Sequence, residues 1–99
     1  MDNFVTDYVY FDEEVQEFKN VHIKINVVKD DFVINISSEE ILKDGDVLVI
    51  LKQLENNLTK KLRISLVEEC EIFITDKEGT RKIELEYGGF FIKKTIKQS

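Results

Sequence analysis

Glu71 and Glu86 are the side chains of this chain best placed for acid–base chemistry, because a strand register read from the sequence sets them directly opposite each other. A turn over Asp76–Arg81, containing Gly79, pairs Ile74 with Ile83, Ile72 with Leu85 and Cys70 with Tyr87. Gly88-Gly89 then forms a two-residue hairpin loop that sets Tyr87 opposite Phe90 and Leu85 opposite Ile92. Side chains alternate faces with a period of two, so these apolar residues share one face. The other face carries the rows Glu71–Glu86–Phe91, Phe73–Glu84–Lys93 and Thr75–Lys82–Thr95.

Adjacent carboxylates raise one pKa, as an acid–base pair needs. Nothing in the sequence surrounds these two with an apolar pocket, auxiliary donors or a metal set. Like charges placed opposite each other in a sheet cost about 0.2–1 kcal/mol. Acids flanked by Phe73 and Phe91 suit binding better, because rings supply apolar area while carboxylates meet a basic partner. Glu71, Phe73, Glu84, Glu86, Phe91 and Lys93 therefore form the first candidate binding patch.

The remaining reactive residue types are isolated. His22 is the only histidine, and it lies on a strand face opposite Ser37 with no cysteine or aspartate close in sequence. Cys70 falls on the apolar face among Glu68, Glu69 and Glu71, the reverse of the electropositive setting that makes a thiol reactive. Gly88-Gly89 sits between two strands rather than between a strand and a helix, so it is no phosphate loop. Asp44-Gly45-Asp46 looks like the start of a calcium loop but lacks the spaced acids and closing glutamate. The expectation is a protein that is not an enzyme and uses neither metal nor cofactor.

The elements that position these residues follow from periodicity. Val21, Ile23, Ile25 and Val27 alternate with polar residues, and Phe32, Ile34 and Ile36 continue beyond Lys29-Asp30. A two-residue loop there pairs Val27 with Phe32, Ile25 with Ile34 and Ile23 with Ile36. A short strand covers 7–11. Phe11, Val15 and Phe18 recur at spacings of four and three, which predicts a helical turn or two begun by Asp12, with an extended edge strand over 13–20 as the alternative.

Ser37 and Glu40 have capping-box spacing and predict a short helix ended by Asp44-Gly45. Val47, Leu51, Leu54 and Leu58 form the stripe of a main helix over 46–61, capped by Asp46, with Lys60-Lys61 at its negative end. A pair of strands over 47–62 is the competing reading. Arg63–Val67 reads as a further strand with Ile64 and Leu66 inward, and Glu68-Glu69 as a bulge or turn.

The fold class predicted is α+β in two layers: an antiparallel sheet, made of the N-terminal hairpin and the C-terminal meander, covered by one main amphipathic helix. A small all-β barrel or sandwich is the alternative. Residues 1–99 contain no proline and no low-complexity stretch, and read as a single domain. One cysteine makes no internal disulfide and fits a reducing, cytoplasmic setting. The acidic N-terminus is unlike a signal peptide, and Val47–Leu51, the longest apolar run, is too short to span a membrane.

Charge narrows the partner. The net charge is −6, split into −8 over residues 1–46 (twelve acids, four bases) and +2 over residues 47–99 (eight acids, ten bases). Direct nucleic-acid binding by phosphate neutralisation is disfavoured by this balance. Asp12, Glu13, Glu14 and Glu17 form the second candidate acidic patch. The leading expectation is a small acidic interaction protein that binds and inhibits or masks a larger basic partner. Immunity proteins against toxins and phage inhibitors of nucleic-acid-processing proteins are of this kind. The alternative is a self-associating accessory subunit, a homodimer or homo-oligomer, whose −8 and +2 halves meet.

Overall fold

The computed structural model describes residues 3–28, 31–61, 65–86 and 91–98. Among the described residues six strands and two helices follow in the order β1 (Asn3–Asp12), β2 (Glu17–Val28), β3 (Asp31–Ser37), α1 (Asp44–Lys61), α2 (Leu66–Glu69), β4 (Cys70–Asp76), β5 (Gly79–Leu85) and β6 (Ile92–Gln98). The strands form one sheet in the order β1-β2-β3-β4-β5-β6, open at both ends. The expected α+β architecture is present, and the all-β barrel is not formed. Both blocks of the sheet are antiparallel within themselves and meet at one parallel pair, β3 with β4, across the α1–α2 crossover. The alternation pattern did not carry that junction.

One face of the sheet and the buried stripe of α1 make the core. Ile23, Ile25, Ile34 and Ile36 from the first block meet Ile72, Ile74, Ile83 and Leu85 from the second, with Val47, Ile50, Leu51 and Leu54 of the helix. The β2–β3 register is as expected: Val27 opposite Phe32, Ile25 opposite Ile34, Ile23 opposite Ile36 and His22 opposite Ser37. The loop at Lys29-Asp30 lies outside the described residues, as do the Gly88-Gly89 loop, the Tyr87–Phe90 and Cys70–Tyr87 pairings and Ile64.

Four local expectations are corrected. The span 11–18 is no helix: β1 runs to Asp12, residues 13–16 turn, and β2 begins at Glu17. Asp12 Oδ1 accepts the Glu14 N–H at 3.0 Å, Gln16 takes the left-handed conformation (φ 57°), and Phe11 packs edge-on against Phe18 at 5.0 Å. The spacing that mimics a helical stripe is two ends of a hairpin closing on each other. Ser37–Glu40 starts no helix either. The Ser38 N–H instead bonds the Thr75 carbonyl at 3.0 Å, continuing the β3–β4 pairing, and Ser38 Oγ accepts the Glu40 N–H at 3.1 Å.

The main helix begins at Asp44, so Gly45 lies in its first turn rather than ending an earlier helix. Asp46 Oδ2 reaches back to the Lys43 N–H at 3.3 Å, and the acids of that turn complement the positive end of the helix. Residues 66–69 are a helical turn in place of the expected strand. The Leu66 N–H donates to Glu55 Oε2 at 2.8 Å, fastening this turn to α1, and Leu66 is buried as expected.

The meander register is also corrected. The β4–β5 turn closes on Lys77-Glu78, with Asp76 opposite Gly79 and Ile72, not Ile74, opposite Ile83. Gly79 adopts a φ of 107°, open to glycine at no steric cost, and Asp76 Oδ1 accepts the Glu78 N–H at 2.9 Å. The slip is two residues, so the side chains of β4 and β5 keep their expected faces while the pairs change. Between β5 and β6, Leu85 lies opposite Ile92 as expected, but a bulge leaves Lys93 unpaired and sets Glu84 opposite Lys94 and Lys82 opposite Ile96.

Candidate functional site

The first patch loses its defining contact. Glu71 and Glu86 do not face each other, because the β4–β5 pairing begins at Ile72 opposite Ile83. Glu71 Oε2 lies 3.5 Å from Lys82 Nζ, and Lys82 stands opposite the half-buried Phe73. Glu84 faces Lys94 across the strands. Glu71 and Glu84 thus each have a lysine as neighbour, one in an ion pair and one across the strands. Glu86 is exposed at the end of β5, where its N–H donates to the Phe91 carbonyl at 2.8 Å, and Phe91 and Lys93 are exposed beside it.

The second patch gathers more. The β1–β2 turn holds Asp12, Glu13, Glu14 and Glu17 together with the exposed rings of Phe11 and Phe18 and the exposed Val15. Lys19 Nζ bridges Asp12 Oδ2 at 3.0 Å and Glu40 Oε2 at 2.9 Å, drawing residues 38–40 toward the hairpin. The Lys19 contact, strengthened by the Glu14 and Val15 amides, holds the Asp12 carboxyl below its ordinary value, and the two carboxylates raise the Lys19 ammonium. Lys43 pairs with Glu14, which raises its pKa in turn. Glu13 and Glu17 have no cationic partner among the described residues.

Between the hairpin and residues 37–40 runs an open groove of about 790 Å³. Asp7, Glu17, Glu39 and Glu40 contribute carboxylates to its lining, Lys19 one cation, and Phe18, three-quarters exposed (75%), an aromatic wall. Sequence reading missed Asp7, Glu39 and Glu40 as members of this site. Asp7 is placed by the β1–β2 register and the two glutamates by the turn at Ser38, and neither was legible.

His22 gains a partner that the sequence did not suggest. Asp7 stands opposite it on β1, and Asp7 Oδ1 lies 2.7 Å from His22 Nδ1. With Ser37 opposite His22 on β3, one row across three strands reads Asp7–His22–Ser37, the order of a hydrolase triad. Nucleophile activation needs the serine bonded to the second ring nitrogen in a water-excluding site. Among the described residues no hydrogen bond joins Ser37 to His22, and all three side chains are exposed.

A buried polar group elsewhere has a structural role. Asp76 Oδ2 accepts the Leu42 N–H at 2.9 Å and Arg81 Nη1 at 3.0 Å, while Arg81 Nη2 donates to the Leu42 carbonyl at 2.7 Å. Burial alone would raise the Asp76 pKa, but these donors and the Glu78 N–H outweigh it and hold the carboxyl below its ordinary value. The network fastens the segment before α1 to the β4–β5 turn. Among the described residues no cluster of histidine, cysteine and carboxylate could hold a metal, and no helix is long and apolar enough to cross a membrane.

No protein-family model matches the chain, and neither a curated protein nor a solved structure matches it. The functional reading therefore rests on the groove and its surroundings.

Proposed function

We propose that this domain is a non-enzymatic binder of a larger basic protein, which it inhibits or masks in the manner of an immunity protein or a phage-encoded inhibitor. The observation that carries this reading is the groove beside Phe18, where four carboxylates surround an exposed ring. Two of them, Glu17 and Glu39, have no cationic partner among the described residues, Glu40 being paired with Lys19 and Asp7 with His22. Lysine or arginine side chains of a partner would enter between these acids and stack on the ring, gaining both charge pairing and cation–π contact. Acids at the rim steer the encounter, and the aromatic holds the complex once formed. The meander patch of Glu71, Phe73 and Glu84 is a weaker docking surface, because Lys82 pairs with Glu71 and Lys94 stands opposite Glu84 on the neighbouring strand.

The test uses a partner captured on the immobilised chain at low and moderate salt and its binding rates to variants. Glu17→Lys with Glu39→Lys should slow association about tenfold or more at low salt, since both are exposed and without ion pairs. Phe18→Ala should speed dissociation by about thirtyfold. Glu71→Lys with Glu84→Lys is the comparison and should change little. An affinity indifferent to salt and to the groove substitutions would remove this reading.

A further inference from the structure

The two free edges of the sheet differ in a way that bears on self-association. An edge strand presents unpaired N–H and C=O groups, and proteins guard such strands with lysine, proline or bulges. β6 is guarded: its seven residues include Lys93, Lys94 and Lys97, and the bulge falls at Lys93. β1 carries none of these. Its ten residues, NFVTDYVYFD, are rich in β-branched and aromatic types, and Val5 and Val9 are 53% and 54% exposed on its solvent-facing side.

Strand direction limits what can add to β1. Through one parallel and four antiparallel junctions, β6 runs in the same direction as β1. With the helices of two copies on one side of a continuous sheet, β1 meets another copy's β6 only in parallel, which leaves open chains. Under the same condition β1 meets another β1 only antiparallel, which closes a two-fold dimer.

We infer that the chain forms a two-fold dimer through its β1 strands, joining two sheets into one of twelve strands. A ladder centred on Tyr8 pairs Val5 with Phe11, Thr6 with Tyr10 and Asp7 with Val9 of the second copy. It joins residues 4–12 of each chain and sets no carboxylate opposite another. Moving the centre to Asp7 would pair Asp7 with itself, and moving it to Val9 would shorten the ladder. The acidic turns at Glu13 and Glu14 end up at opposite ends, about 35 Å apart at roughly 3.4 Å per residue, well beyond the screening length of about 8 Å. Their repulsion does not oppose the dimer.

Sedimentation velocity on the full chain over a concentration series tests this. The expected result is a species of twice the 11.6 kDa chain mass. Val9→Asp would set four carboxylates together in the central rows and should weaken the dimer about a hundredfold or more. Val9→Lys, facing Asp7 of the other copy, should leave it as tight or tighter. Ile96→Asp on β6 should change nothing, and thermal melts confirm that each variant is folded. A monomer at about 100 μM, a dimer insensitive to Val9→Asp, loss of the dimer by Val9→Lys, or a mass that grows without limit would each overturn the inference. The last of these would indicate head-to-tail pairing of β1 with β6.

Discussion

Asp76→Ala should destabilise the fold by about 3–5 kcal/mol, because it strands a cation that the folded chain has taken out of water. The Asp76 side chain is fully buried (0% exposed) and that of Arg81 is only 12% exposed. Removing the carboxylate leaves the Leu42 N–H without its acceptor and Arg81 with only the Leu42 carbonyl. At roughly 4 °C or more per kcal/mol in a chain of this size, the melting temperature should fall by at least about 12 °C. Adding Arg81→Met should restore part of the loss, since the unpaired charge is then gone while the Leu42 amide stays unsatisfied.

The same carboxyl has a pH signature. Its folded pKa lies below its ordinary value of 3.8, so the stability it confers is complete above that value and is lost as pH falls through the lower, folded one. The gap in urea midpoint between the wild type and Asp76→Asn should therefore be full at pH 7 and narrow only as pH is taken below 3.8 and through the lower, folded value. A gap that stays constant throughout that acid range would overturn the assignment of a lowered pKa to Asp76.

The pattern of the chain carried the faces of β2 to β5 and not all of their pairings, for a physical reason. Alternation fixes which side a residue takes, and a slip of two residues leaves it unchanged. Where a short loop joins two runs directly, as between Val27 and Phe32, the register follows from the spacing. At Asp76 it did not, because the turn is closed by a carboxylate bonding the Glu78 amide and by the left-handed Gly79. The bulge at Lys93 is different, because a shift of one residue does change faces: Thr95, expected beside Lys82, stands opposite Ile83, and Ile96 takes its place opposite Lys82.

Phe11, Val15 and Phe18 show the converse failure. Their spacing satisfies helical periodicity, yet the Phe11–Phe18 contact forms just as well across a four-residue turn. Of the carboxylates lining the groove only Glu17 was legible, as the last member of the acidic run 12–17; Asp12, Glu13 and Glu14 lie outside the groove. Glu39 and Glu40 depend on residues 37–40 bending back at Ser38, which follows from tertiary bonding to Thr75. His22 looked solitary because its partner Asp7 lies fifteen residues away on a strand whose register the sequence left open.

Ile34→Ala should cost about 2–5 kcal/mol, at the junction where the two halves of the sheet meet. Ile34 lies opposite Ile25 on β2 and Ile72 on β4, is 0% exposed, and so joins the antiparallel N-terminal block to the meander through the one parallel pair. Truncation there leaves a cavity between elements that cannot close on it independently, since each neighbour is fixed by its own hairpin. Ile96→Ala, on the other face of β6 and only half-buried, should cost less than about 1 kcal/mol. Amide hydrogen exchange should separate the two regions as well: β3 and β4 exchange only with global unfolding, whereas β6 and the 13–16 turn exchange through local opening. Equal losses at Ile34 and Ile96, or protection of β6 as high as that of β3, would place the stabilising core elsewhere than at the parallel junction.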